Sequence, residues 1–157
     1  MSARQNVHGT AILLGTTGVL LRGPSGAGKS LLALALIDDW EARGLPASLV
    51  ADDRVDLALG TGTVTMHVPP QIGGKIELRG RGIIERAYTA EASLGLVVDL
   101  VATLERMPEE NAFAIEELGL DVPRCPVPQA GVIQLGHQIM LVREAIRDLG
   151  APPRKNT

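Results

Sequence analysis

Residues Gly23-Pro24-Ser25-Gly26-Ala27-Gly28-Lys29-Ser30 follow the pattern G-x-x-x-x-G-K-[ST], and they stand between two segments of opposite character. Before them Val19-Leu20-Leu21 ends a short apolar run that reads as a strand. After them Leu31 to Ile37 continues in helix formers. A strand, a glycine-rich loop and a helix N-terminus in that order leave a chain few architectures to adopt. Glycines let successive backbone N–H groups converge on a phosphate without Cβ clashes. Lys29 supplies a point charge to the outer phosphates, Ser30 offers a hydroxyl to magnesium, and the helix N-terminus adds its partial positive charge. The expectation is an α/β fold with a central sheet, the loop-bearing helix on one face and a terminal helix beside it.

Composition agrees where it bears on the point. Trp40, Tyr88 and Phe113 are the only aromatic residues, so the core must come from Leu, Val, Ile and Ala. Such a core suits strands covered by helices and leaves little for stacking nucleic-acid bases. Lys and Arg number 15 against 18 Asp and Glu, a net charge of −3, which gives no cationic field for a nucleic-acid partner. One cysteine, Cys125, excludes an intrachain disulfide and a cysteine-based zinc site. Met1 to His8 lack the basic and apolar regions of a secretory signal, and no uncharged run is free of Pro, Gln, Gly and His as a membrane span requires. These features read as a cytoplasmic domain over residues 1–150, with no membrane partner and a fraying tail over 151–157.

Along the chain, strands are expected at 10–14, 19–23, 47–51, 63–68 and 94–100. The strand at 47–51 runs into Asp52-Asp53, and Val55 to Leu59 is a candidate continuation of it. Helices are expected from Lys29 to a stop at Gly44, and from Gln134 to Leu149, where Leu135, Ile139, Val142, Ile146 and Leu149 form a stripe. Residues 71–82 hold four glycines, more than a packed helix or strand tolerates. Residues 111–122 read as helical or irregular, and 123–131 as a proline-rich connection.

Acid and base candidates cluster around the loop. Asp52 and Asp53 follow a strand, at the end where ligands gather in α/β sheets. Adjacent side chains diverge on an extended chain, so one carboxylate can face a metal and the other an acceptor hydroxyl. The alternative for the pair is an Asx turn or helix cap. His8 can orient a nearby carboxylate or be a capping residue. Glu77 and Arg79 share a face if extended, and can complete a magnesium and phosphate pocket or form a surface salt bridge on a hairpin. His67, His137 and Cys125 carry no chemical signal.

Taken together, the blocks Val7-His8-Gly9, Gly23 to Ser30, Leu49-Val50-Ala51-Asp52-Asp53 and Ile76-Glu77-Leu78-Arg79-Gly80-Arg81-Gly82-Ile83-Ile84 resemble the catalytic domain of HPr kinase/phosphorylase. The resemblance implies a carboxykinase-like P-loop architecture with a mixed central sheet and flanking helices, and hexameric assembly. It implies an enzyme that uses ATP and Mg2+ to phosphorylate a serine of the phosphocarrier HPr. The same enzyme uses inorganic phosphate to remove that group, releasing pyrophosphate. On this resemblance Asp53 is the base, and the acid of the reverse reaction. His8 assists it, and Lys29 and Ser30 match the phosphate and magnesium residues of the nucleotide-binding loop Gly23 to Ser30. Glu77 matches a magnesium ligand, and Arg79 lies in the segment important for both reactions. Asp52, the neighbour of Asp53, is the carboxylate read above as facing the metal. The short stretch before the loop resembles a minimal alphaproteobacterial form without the family's N-terminal domain. Pro24 and Leu31 stand where the family has acidic residues. Glu117 stands where it has an arginine, and Pro126 to Gly131 lacks the arginines tied to dephosphorylation, which leaves Arg124 as a candidate substitute. Two other functions share the loop: a small-molecule kinase and a non-catalytic nucleotide-binding regulator.

Overall fold

The computed structural model describes residues 4–150; the expected tail at 151–157 lies outside the described residues. Among the described residues eleven strands and two α-helices follow one another. They begin with β1 (Arg4–His8), β2 (Thr10–Leu14), β3 (Thr17–Arg22), α1 (Lys29–Ala42), β4 (Ala47–Ala51), β5 (Arg54–Leu59) and β6 (Val64–His67). They continue with β7 (Lys75–Leu78), β8 (Gly82–Glu85), β9 (Glu91–Val101), β10 (Ala114–Glu117), β11 (Leu120–Pro128) and α2 (Leu135–Leu149). The large sheet runs β1-β5-β6-β9-β3-β2-β4, with β11 on the C-terminal half of β9. β3 pairs parallel with β9 and β9 with β11, whereas β2 is antiparallel to both β3 and β4. The sheet is therefore mixed.

This topology places the site. With β2 reversed between them, β3 and β4 end at the same edge, where β2 begins. The loop after β3, Asp52 and Asp53 after β4, and His8 before β2 consequently converge.

Alternation along the strands feeds two cores. Val19 and Leu21 join Ile12, Leu49, Val98 and the inner face of α1, while Leu20 faces the opposite way onto Val55, Leu57 and Met66, where β5 and β6 curl over the sheet. Leu32, Ala33, Leu36, Ile37 and Trp40 of α1 are buried, as its nearly continuous apolar sequence requires. Helix α2 is amphipathic, packs Ile139, Val142 and Ile146 on the same core, and ties itself to α1 through Arg143 Nε, which donates to Asp39 Oδ2 at 2.9 Å.

Several expectations need correction. Arg4–His8 is an edge strand, invisible in the sequence because only Val7 is apolar. Val55 to Leu59 does not extend β4; Asp53 takes φ +70°, and the chain turns into the other half of the sheet. Residues 71–82 contribute to a β7–β8 hairpin whose glycines sit at its turns and flanks. Residues 111–122 contain a single 3-10 turn and then the β10–β11 hairpin, closed by Leu118 and Gly119 with φ of 49° and 83°. Two positive φ values mark a type I′ turn, usually announced by Asn-Gly, and Leu118 hides that signal. The proline-rich stretch is strand β11. Because Gln129 N–H donates to Val101 O, the strand period turns positions 126 and 128 away from β9, where a proline loses no ladder bond.

Candidate active site

The loop after β3 wraps around its own lysine. Lys29 Nζ donates to Gly23 O at 2.8 Å and Pro24 O at 3.1 Å, which leaves one of three ammonium protons for a ligand. Burial lowers the Lys29 pKa, opposed by the charges of Asp52 and Asp53 and aided by that of Arg79. All three charges are therefore felt at the ammonium. Gly23 takes φ +156°, and a Cβ there would stand 2.9 Å from Leu100 Cβ. At Gly28 (φ +95°) a Cβ would stand 3.0 Å from that of Ala130, so neither position admits a side chain without displacement.

A cavity of about 680 Å³ opens over the loop. Of the loop residues, Ser25, Gly26, Gly28, Lys29 and Ser30 line it, together with His8, Asp52, Asp53, Glu77 and Arg79. Gly23, Pro24 and Ala27 do not line it. They shape the loop from behind, Ala27 buried in the core and its N–H donating to Pro24 O at 3.1 Å.

The two aspartates have different surroundings. Asp52 Oδ1 accepts from Ser30 Oγ at 2.8 Å and from Thr10 Oγ1 at 2.9 Å, and its Oδ2 accepts from the Glu77 backbone N–H at 3.2 Å. Asp53 projects outward with its side chain 74% exposed, and His8 Nε2 lies 3.1 Å from its Oδ1. The positive φ at Asp53, a conformation Asp tolerates better than most residues, is what separates the two carboxylates. The expected extended divergence is absent; a turn produces the same separation.

Glu77 lies on β7, and Arg79 lies just past its end, in the hairpin turn. The guanidinium hangs over the phosphate loop, Nη2 3.8 Å from where a Cβ on Gly26 would stand. Among the described residues no group of three or more His, Cys, Asp or Glu side chains could by itself hold a metal. The hard oxygens of Ser30 and Asp52 fit magnesium, which is commonly held by one or two carboxylates plus substrate phosphates.

Thr10 is the residue that sequence reasoning missed. It is fully buried at the start of β2, and its only signal is a hydroxyl heading an otherwise apolar strand. Arg124 is not at the site. Its Nε donates to Asp99 Oδ2 at 2.5 Å and its Nη1 to Ala112 O at 3.0 Å, and it does not line the cavity over the loop. Glu117 pairs with Arg22, which also grips Asp99 through Nε at 2.8 Å and Nη2 at 3.0 Å. The four charges of Arg22, Asp99, Glu117 and Arg124 thus neutralise one another. Burial acts to raise the Asp99 pKa, but hydrogen bonds and charge from Arg22 and Arg124 outweigh it and hold the carboxyl below its ordinary value. Cys125 is buried, and its thiol is pushed up to about 12, which makes it unreactive. His67 lies 3.2 Å from Glu91 on the neighbouring strand, remote from the loop.

Comparison with known proteins shows the family. The family model described as HPr Serine kinase C-terminal domain matches residues 1–147. The chain is 34% identical over 160 residues to proteins named HPr kinase/phosphorylase from Burkholderia lata and Burkholderia cenocepacia, with 94% of this chain and 47% of each relative covered. It thus spans about half the length of these relatives. A solved structure of the Hpr(Ser) kinase/phosphatase from Coxiella burnetii superposes with a TM-score of 0.73 at 30% identity, covering 94% of this chain and 99% of that one. The chain belongs to the family of HPr serine kinase C-terminal domains.

Proposed function

We propose that the chain transfers the terminal phosphoryl group of ATP to a serine of an HPr-like phosphocarrier protein, with magnesium, and that it can reverse the transfer with inorganic phosphate. The observation that carries this reading is the outward Asp53 carboxylate, with His8 Nε2 3.1 Å away, on the same cavity as Lys29 and Ser30. A phosphate cradle alone suits many reactions; an exposed base beside it suits transfer to a hydroxyl presented from outside. That exposure favours a protein loop over a small metabolite as acceptor, because small-molecule sites close around their substrate to exclude water.

In the forward direction Asp53 takes the serine proton as the hydroxyl oxygen bonds to the terminal phosphorus. The bond from that phosphorus to the leaving diphosphate oxygen breaks in the same displacement. His8 holds the carboxylate toward the acceptor. Lys29 and Arg79 balance charge on the transferring group, and the amides of the cavity-lining loop residues Ser25, Gly26, Gly28, Lys29 and Ser30 orient the chain of phosphates. Ser30 and Asp52 would hold magnesium, and Glu77, which lines the same cavity, would be a further oxygen ligand. The ion supplies neutralisation of charge developing on the bridging oxygen.

In reverse, an oxygen of inorganic phosphate bonds to the phosphoserine phosphorus as the bond from that phosphorus to the serine oxygen breaks, giving pyrophosphate and freeing the serine. Asp53 returns the proton to the serine oxygen, as microscopic reversibility requires. Lys29, Lys75 and Arg79 are the cations lining the cavity in this chain.

The test is incubation with labelled ATP, magnesium and a purified HPr-type phosphocarrier. One serine should become labelled. Asp53→Asn should lower transfer by about 10³-fold or more while ATP binding stays within about twofold, because base and cradle are separate groups. Absence of transfer to that protein by the wild-type chain refutes the reading.

A further inference from the structure

A second cavity of about 390 Å³ adjoins the first, and Gly28, Leu31 and Ala130 form the wall between them. The two differ in chemistry. The first carries the ammonium, the guanidinium and the carboxylates described above. The residues lining the second, including Leu31, Val132, Leu135 and Gln138, bear no charge. It also has a firm floor. Ala130 N–H donates to Ala27 O at 3.2 Å and Gln129 N–H to Val101 O at 2.8 Å, so the segment after β11 is stitched to the phosphate loop and to β9.

Gln138 is the polar group in this wall that is fixed in orientation. It is 3% exposed, and its Nε2 donates to Pro128 O at 2.9 Å. A carbonyl oxygen only accepts, so the NH2 must face Pro128 and the amide cannot be flipped. Oε1 is thereby turned away from that carbonyl, on a residue that lines the cavity.

Direction along the cradle follows from charge. Lys29, Asp53 and Arg79 mark the end where a terminal phosphoryl group sits. The rest of the nucleotide has to leave the loop past Gly28 and Leu31, where the uncharged cavity begins. We infer that this second cavity takes the nucleoside end of the nucleotide. Its base is a 6-aminopurine lying between Leu31, Val132 and Leu135, with the exocyclic amine donating to Gln138 Oε1. A 6-oxopurine would set a carbonyl against that acceptor and lose the bond. The inference rests on the phosphate-cradle reading and adds to it the nucleotide's specificity and the residue that confers it.

Isothermal titration in magnesium with ATP, GTP and inorganic tripolyphosphate tests it. Tripolyphosphate reports the cradle alone, and the excess affinity of ATP reports the second cavity. ATP should bind at least about tenfold more tightly than both GTP and tripolyphosphate, in line with one oriented hydrogen bond plus apolar contact. Val132→Trp, at an exposed position, should fill the cavity and weaken ATP by about tenfold with tripolyphosphate unchanged. Gln138→Leu should reduce the preference for ATP over GTP to about twofold or less, again sparing tripolyphosphate. Equal affinity for ATP and tripolyphosphate in the wild type, or an equal loss of both in Val132→Trp, overturns the assignment of the cavity. Failure of tripolyphosphate itself to bind overturns the cradle reading, and this inference with it.

Discussion

Replacing Thr10 by valine removes a single oxygen atom from the interior and leaves its volume filled. The hydroxyl is completely buried and donates to Asp52 Oδ1 at 2.9 Å. A hydrogen bond to a charged group is worth about 1.5–3 kcal/mol. Asp52 keeps the Ser30 hydroxyl and the Glu77 N–H, so the lower end applies, and valine opens no cavity. A loss of about 1.5 kcal/mol in a domain of this size lowers Tm by about 3–6 °C. The larger effect should fall on the metal. In the proposed site Ser30 Oγ would offer a lone pair to magnesium while its hydroxyl donates to Asp52 Oδ1, and Thr10 is the second hydroxyl that fixes this carboxylate. Losing such an orienting contact costs about tenfold or more in metal affinity. Titrating magnesium at fixed ATP and following binding by calorimetry gives the midpoint directly. It should rise by about tenfold in Thr10→Val and recover in Thr10→Ser. A lowered Tm with an unmoved magnesium midpoint would show that Thr10 only fills space, and the argument for its role would fail.

Two further substitutions test other parts of the frame. Asp99→Asn leaves Arg22 and Arg124 facing each other across a partly buried neutral amide and should destabilise the fold by about 3 kcal/mol at neutral pH. Because the folded-state carboxyl is held below its ordinary 3.8, the stabilisation is complete above that value and is lost as pH falls through the folded-state pKa. Urea unfolding should therefore show the gap between wild type and Asp99→Asn closing in acid; a gap independent of pH would contradict the ion-pair account. Gly28→Val combines a φ of +95° with a Cβ 3.0 Å from that of Ala130. It should abolish nucleotide binding, with ATP affinity falling by about 100-fold or more in a titration, whereas near-normal affinity would mean the loop tolerates a side chain there.

Local chemistry is what the sequence carried. The phosphate loop, the buried helix after it, the strands at 10–14 and 47–51 and the amphipathic terminal helix were all legible, because each depends on spacing within a few residues. The resemblance of four blocks added the family and named His8, Asp53 and Glu77, residues whose types alone decided nothing. Polar or proline-bearing strands were not legible. β1 has one inward apolar residue, β11 carries prolines at 126 and 128 made harmless by their register, and the β10–β11 turn has leucine where asparagine is usual.

Tertiary structure alone decided how the groups meet. Thr10, Ser30, Asp52 and Glu77 come from four separate stretches, and they share one carboxylate because β2 runs antiparallel between β3 and β4 and brings three strand ends to one edge. The differing exposure of Asp52 and Asp53 likewise comes from a backbone turn between two halves of a sheet, which no pairwise spacing encodes. The apolar cavity beside the loop exists because the segment after β11 is hydrogen-bonded to Ala27, a contact between residues about a hundred positions apart. Short-range pattern determines which elements form. Long-range pairing determines which side chains become neighbours, and in this protein the chemistry belongs to the neighbours.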